Sequence, residues 1–209
     1  ARLEGRIAMK LSETLRKSIH ISSLIIPISY RYLMGFNRRL VFSLLLLAFT
    51  VSIIIEFHRF WQKGFRKTFN RMFGLILRRH ERKDFTGATY LLFSGMICVA
   101  FLEPLIASCA MAFLSIGDTF AAMVGMNFGK RKFLGLSKSL EGSLACFVSC
   151  LVFGLLWLNS SPYQSSFIAL ALGGSLAATL AELWRLPLDD NLKIPFVSGL
   201  VMTGLSIII

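Results

Sequence analysis

Between two apolar runs the chain places GDTFAAMVGMNFGKRKFLGLSKSLEGS, residues 117–143, in which one aspartate, several glycines and four cations stand close together. On a helix, Asp118, Ala121, Ala122 and Gly125 share one side at three- and four-residue spacings. A carboxylate then lies beside a small-residue surface that another backbone or a ligand can approach closely. Gly129, Lys130, Arg131 and Lys132 follow, and Lys138 and Glu141 stand three apart just before Gly142. Phosphates attract cations and backbone N–H donors, and divalent metals attract carboxylates. Phosphoryl transfer needs alignment and charge neutralisation more than covalent chemistry. These residues therefore suit a metal–nucleotide site. They also suit a second reading, in which Gly125 and Gly129 serve helix packing and the basic run is a solvated anchor. The spacing is not the phosphate-loop pattern GxxxxGK[ST], because Gly125 to Gly129-Lys130 is one residue short and no hydroxyl follows.

Two further groups carry chemistry. AELWRLPLDDNLKIP, residues 181–195, supplies Glu182, Asp189, Asp190 and Asn191 as carboxylate and amide ligand candidates. Glu182 has a structural alternative, pairing with Arg185 at three-residue spacing. Pro187 and Pro195 suit breaks between elements. Upstream, Arg16, Lys17 and His20 enter the first apolar segment from the cytoplasmic side; His20 is either a proton carrier or a polar contact between helices. No serine has a visible activating partner, so no covalent intermediate is expected.

The elements that position these groups are membrane helices. The 209 residues are 55% hydrophobic and 16% charged, with a net charge of +12 and a mean hydropathy of +0.67. Soluble domains carry about 25% charged residues. Here the charge is gathered between long apolar runs, the pattern of an all-α, polytopic integral membrane bundle. A basic nucleic-acid binder needs a charged face on a soluble body, so no nucleic-acid partner is expected. The cations read instead as loop anchors and contacts for anionic lipid headgroups. Cys98, Cys109, Cys146 and Cys150 all lie in apolar runs and read as small packing residues. The N-terminal stretch has mixed charge and no small-residue cleavage site, so no signal peptide is expected.

Seven apolar segments, read as about seven transmembrane helices, occur at 18–34, 39–56, 88–102, 104–124, 142–158, 165–181 and 194–209. The first contains Pro27 and Arg31 and is poor for a span; the third is short against the roughly 20 residues that cross a bilayer. Residues 57–87, basic with aromatic and apolar positions at helical spacing, read as an amphipathic segment on the membrane surface. Such a segment orients the protein or guides an amphiphilic substrate, and Gly64 and Gly74 argue against one continuous helix. The basic connections at 57–87 and 126–141 and the uncharged NSSPYQ at 159–164 place the N-terminus and the charged loops in the cytoplasm. In a bacterium that is the inner membrane. Arg31, Arg38 and Arg39 run against this pattern, since they fall in the first outer loop. The whole of 1–209 reads as a single membrane-embedded domain.

Four stretches together resemble the small integral-membrane, CTP-dependent lipid kinases, which include dolichol kinase, phytol kinase and fungal CTP-dependent diacylglycerol kinase. They are LRKSIHISSLIIP at 15–27, TGATYLLFSG at 86–95, GDTFAAMVGMNFGKRKF with KSLEGS at 117–143, and ELWRLPLDDNLKIPFVSG at 182–199. Prokaryotic members are often labelled phosphatidate cytidylyltransferases. The resemblance implies transfer of the γ-phosphoryl group of CTP to the hydroxyl of a membrane lipid alcohol. It implies roles for Arg16, Lys17, Asp118, Gly125, Lys130, Lys138, Glu141, Gly142, Asp190, Asn191 and Pro195, with Gly129 beside Lys130. Asp118 with Asp190 or Glu182 would hold Mg²⁺, Lys130 and Lys138 would neutralise the triphosphate, and Arg16 or Lys17 would meet phosphate or alcohol. The doubled Asp189-Asp190 leaves open which aspartate acts. A phosphatidate cytidylyltransferase is the competing enzyme, and the chain lacks its Gly-His-Gly-Gly and Asp-Arg signature. A transporter or scaffold is the non-enzymatic alternative.

Overall fold

The computed structural model describes residues 2–78, 80–132, 138–159, 162–184 and 188–209, with side chains from Leu11 onward. Within them the protein is all-helical: α1 (Arg2–Ser22), α2 (Ile25–Tyr32), α3 (Arg38–Trp61), α4 (Lys63–Phe73), α5 (Gly87–Phe101), α6 (Pro104–Phe128), α7 (Leu140–Leu158), α8 (Phe167–Leu183) and α9 (Asp190–Ile208). Four of these, α3, α6, α7 and α9, are long and apolar enough to cross a membrane, while α5 and α8 are shorter apolar helices. The 18–34 segment is not one helix. It divides into the end of α1 and the short α2, where Pro27 sits in the first turn and needs no N–H partner. The chain then reverses through Gly35 and Phe36, both in the left-handed region (φ 52° and 59°), and Asn37 caps α3 by accepting from the Leu40 N–H.

Central to the bundle is α6, packed on α7, α9, α1, α2, α5 and α8. Its start is set by Pro104 at the first helical position and by the Glu103 carboxylate, which accepts from the Leu105 and Ile106 N–H groups. Small residues let its neighbours close in. The buried Phe113 ring fills the gap between α7 and α8, where a Cβ added at Gly154 or Gly174 would lie 3.0 or 2.9 Å from it. All four cysteines are buried free thiols, and the sulfurs of Cys146 and Cys150 pack against Gly117. The outward faces are apolar instead: Leu40, Leu44, Leu47, Val51 and Ile54 along α3, and Ile168, Leu172, Leu176 and Leu180 along α8. Apolar stripes turned outward at helical spacing belong in hydrocarbon. This is a membrane protein.

The basic stretch from 57 divides at Gln62. Residues 57–61 continue α3, and only α4 stands apart as a short amphipathic helix. Nor are all its cations surface anchors. Arg59 is 0% exposed; it donates to the Glu56 carboxylate and to the Glu81 and Asp84 carbonyls, pinning the 74–86 connection against α3. Glu56 completes the pin by accepting from the Thr86 N–H at 2.8 Å. Two of the three opposing arginines are likewise in use. Arg31 donates to the Trp157 carbonyl in the last turn of α7, and Arg38 to the Leu102 carbonyl at the end of α5. Cations there satisfy orphan carbonyls and the negative end of the helix dipole.

Candidate active site

Asp118 enters the site from the second half of α6, at 7% exposure. A buried carboxylate needs a partner, and α1 supplies one: Lys17 Nζ lies 2.5 Å from Asp118 Oδ2. Just past the end of α1, Ser23 Oγ meets Ser115 Oγ at 2.7 Å, so α1 is fastened along α6 and carries its basic residues to the same spot. His20 Nδ1 is 3.7 Å from Asp118 Oδ2 and has no hydrogen-bond partner. Burial, reinforced by Lys17, Arg78 and Arg16, pushes the imidazole below its ordinary range against the pull of Asp118.

A second ion-pair set faces the first. Lys138, just before α7, lies 2.9 Å from Glu182 Oε1 and 3.5 Å from Asp190 Oδ2, and also donates to the Glu182 carbonyl. Burial works against its ammonium, but Asp190 and Glu182 outweigh that and raise its pKa. Lys193 holds the other Asp190 oxygen at 2.8 Å. Glu182 Oε2 is buried without a partner. Asp189 has a different role from its neighbour: it caps α9 by accepting from the Asn191 N–H and faces Arg78 Nη1 at 3.4 Å. Of the doubled aspartates, Asp190 is the one on the cavity wall.

These groups line one cavity of about 330 Å³, where Arg16, Lys17, Arg78 and Lys138 face Glu13, Asp118, Glu182 and Asp190. The first turn of α7 adds Ser139, Gly142 and Ser143 to the wall, and Ser139 caps that helix by accepting from the Gly142 N–H. Gly142 is where α7 touches α6, since a Cβ there would lie 2.8 Å from the Ala121 carbonyl oxygen. Gly125 also lines the cavity. Gly129 does not; it packs against Ser139, whose Oγ would be 2.7 Å from an added Cβ. Lys130, Arg131 and Lys132 are exposed outside the wall. Glu141 accepts from the Arg131 N–H at 3.2 Å, closing the loop end onto α7. Arg185 and Pro187, the residues in the alternative pairing and the expected break, lie outside the described residues. Pro195 is inside α9 and buried, not at a break.

Sequence reasoning missed Arg78 and Glu13. Arg78 sits among many cations in one connection, and nothing in its spacing marks it out. Glu13 was visible only as the three-residue partner of Arg16, which it holds at 2.5 Å. The carboxylates of Asp118, Glu182 and Asp190 do not form a three-ligand cluster, because lysines stand among them. Among the described residues, His80, Glu81 and Asp189 are the group whose ligand atoms lie within 4.8 Å of one another. A cavity with four cations and four carboxylates can receive a polyanion and a divalent cation together, each replacing part of an existing ion pair.

No family model matches the chain, and no solved structure does. Curated relatives are informative. The CTP-dependent diacylglycerol kinase 1 of Schizosaccharomyces pombe is 32% identical over 168 residues, 74% of each chain. This chain belongs to the CTP-dependent lipid kinase family. An uncharacterised protein of Rickettsia prowazekii is 29% identical over 88% of this chain and 89% of its own length. The phytol kinase of a Synechocystis strain is 28% identical over 54% of this chain and 51% of its own. For a member of the lipid kinase family, the convergence of distant segments is the informative feature. Arg16 and Lys17 from 15–27, Asp118 and Gly125 with Lys138 and Gly142 from 117–143, and Glu182 and Asp190 from 182–199 all reach one cavity.

Proposed function

We propose that this cavity transfers the γ-phosphoryl group of CTP to the hydroxyl of a membrane lipid alcohol. The observation that carries the reading is the alternation of Lys17–Asp118 and Lys138–Glu182/Asp190 pairs around one cavity at the start of α7. Lys17, Lys138, Arg16 and Arg78 would turn from carboxylates to phosphate oxygens, and the α7 N-terminus adds its positive dipole end. The carboxylates freed in that exchange fit a divalent cation: Mg²⁺ commonly takes one or two carboxylates plus phosphate oxygens, and Glu182 Oε2 is already unpartnered. When bound, Mg²⁺ would neutralise charge on the transferring phosphoryl group. Asp118 with Glu182 or Asp190 would hold it.

In the transfer, the lipid oxygen forms a bond to the γ-phosphorus while the bond from that phosphorus to the β–γ bridging oxygen breaks. CDP leaves with that electron pair, and the hydroxyl proton passes late to a carboxylate or water. A loose transition state asks little of the base. The site end of the bundle, with the 63–83 and 130–138 cations, would face the cytoplasm, where CTP is available.

The test is purified protein with γ- or α-labelled CTP and a panel of diacylglycerol, polyprenol, phytol and phosphatidate. Label from the γ position on an alcohol, abolished by chelating divalent cations, is the expected result. Label from the α position on phosphatidate would mean a cytidylyltransferase and overturn the assignment.

A further inference from the structure

Beside the polar cavity lies a larger one of about 540 Å³, within the range of roughly 300–1,000 Å³ typical of ligand sites. Its walls come from α1, from α4 and the turn after it, and from the first turns of α5. The lining is mostly apolar: Ile19, Phe69, Phe73, Leu77, Leu91 and Leu92. Phe73 and Ile19 of this lining are exposed, so the apolar wall reaches the protein surface.

Two features distinguish it from a packing fault. Arg16 and Arg78 line both cavities, so the apolar space and the ion-pair space share a wall. In addition, Asn191 contributes to its lining while only 2% exposed, and Asn191 Oδ1 has no hydrogen-bond partner. A buried amide oxygen left unmet is costly, and native structures pair most such groups. What would satisfy it is a hydroxyl donor on an otherwise apolar body.

We infer that this second cavity receives the acceptor lipid alcohol. Its hydrocarbon lies against Phe69, Phe73, Leu77 and Leu91, and its hydroxyl donates to Asn191 Oδ1 beside the Arg16–Arg78 wall. The inference rests on the phosphoryl-transfer reading and adds to it a location for the acceptor. Arg78 stands between the two spaces, facing Asp189 at 3.4 Å until a phosphate oxygen replaces that partner. The 57–87 stretch thereby supplies a wall of the acceptor site as well as a surface segment.

Two measurements on the full-length protein in nanodiscs test this. A long-chain primary alcohol carrying a mid-chain diazirine is photocrosslinked and mapped by mass spectrometry. Labelling within residues 66–77 and 87–92, displaced by excess unlabelled diacylglycerol or phytol, is expected. Labelling confined to the outward faces of α3 and α8, or displaced by phosphatidate and not by alcohols, would overturn the proposal. Kinetically, Ala88→Trp adds bulk at an exposed position of the lining, and N191L removes the acceptor. Each should raise KM for the lipid alcohol by about tenfold or more, a change comparable with losing one good contact, while KM for CTP stays within about twofold. Unchanged lipid KM in Ala88→Trp, with wild-type transfer intact, would sink the cavity assignment alone. Absence of any γ-label transfer by the wild type would sink the phosphoryl-transfer reading, and the crosslink map still decides whether alcohols occupy this space.

Discussion

At the scale of single residues, the site is defined by which charges are paired and which are left over. Asp118 carries a buried charge whose partner, Lys17, comes from a helix far away in sequence. Asp118→Asn removes the charge at nearly constant shape. Turnover should fall about a hundredfold or more, the scale seen when a key electrostatic group is lost, while the protein remains folded and extractable in detergent. Near-wild-type turnover in a γ-label assay would remove Asp118 from the mechanism. The lysines separate in the same way. Lys138 lies between Glu182 and Asp190 on the cavity wall, whereas Lys130 is exposed outside it. Lys138→Ala should therefore raise KM for CTP or lower kcat by tenfold or more, roughly one lost charge-assisted contact. Lys130→Ala should leave both within about twofold, since exposed charges contribute little. Equal effects in steady-state kinetics would show that Lys130 reaches the nucleotide after all.

At the scale of elements, the 74–86 connection matters more than its irregular backbone implies. Arg59 pins it by donating to Glu56 and to two of its carbonyls, and Ser12 ties α1 to it by donating to the Leu75 carbonyl. It carries Arg78 to the wall between the two cavities. Arg59→Met would leave Glu56 buried without its partner, and breaking such a pair costs about 3–5 kcal/mol. The expected outcome is faster limited proteolysis within 74–86 and a lower unfolding midpoint in detergent, with unchanged proteolysis elsewhere. Uniform protection equal to wild type would show that the pin is dispensable. The helices were readable in outline because their apolar runs are long. The break at residues 23–24 and the true extent of α3 were not, since Pro27 is compatible with a first turn and the cations at 58–59 mimic a loop.

The molecule as a whole holds a charge contradiction that packing resolves for two of its three arginines. Arg31 and Arg38 oppose the orientation set by the other basic loops, yet both cap carbonyls at helix ends, so they are structural donors and not free loop charges. The orientation proposed from the remaining cations predicts that Lys132→Cys, with the four buried native cysteines replaced by alanine, reacts with an impermeant thiol reagent only from the cytoplasmic side of sealed vesicles. Labelling from outside would invert the topology. Composition and apolar run length by themselves determined that this is an all-helical membrane protein, because a bilayer imposes its thickness and its demand for internal hydrogen bonds on any chain that crosses it. The order of its charged segments sufficed for the family resemblance, and spacing placed Asp118 beside a small-residue face. Only the tertiary structure decided that Asp190, and not Asp189, reaches the cavity, that Arg78 belongs to it and Lys130 does not, and that an apolar cavity adjoins it. Those outcomes depend on distances between residues far apart in the chain, and local spacing holds no information about which distant side chain completes a buried ion pair.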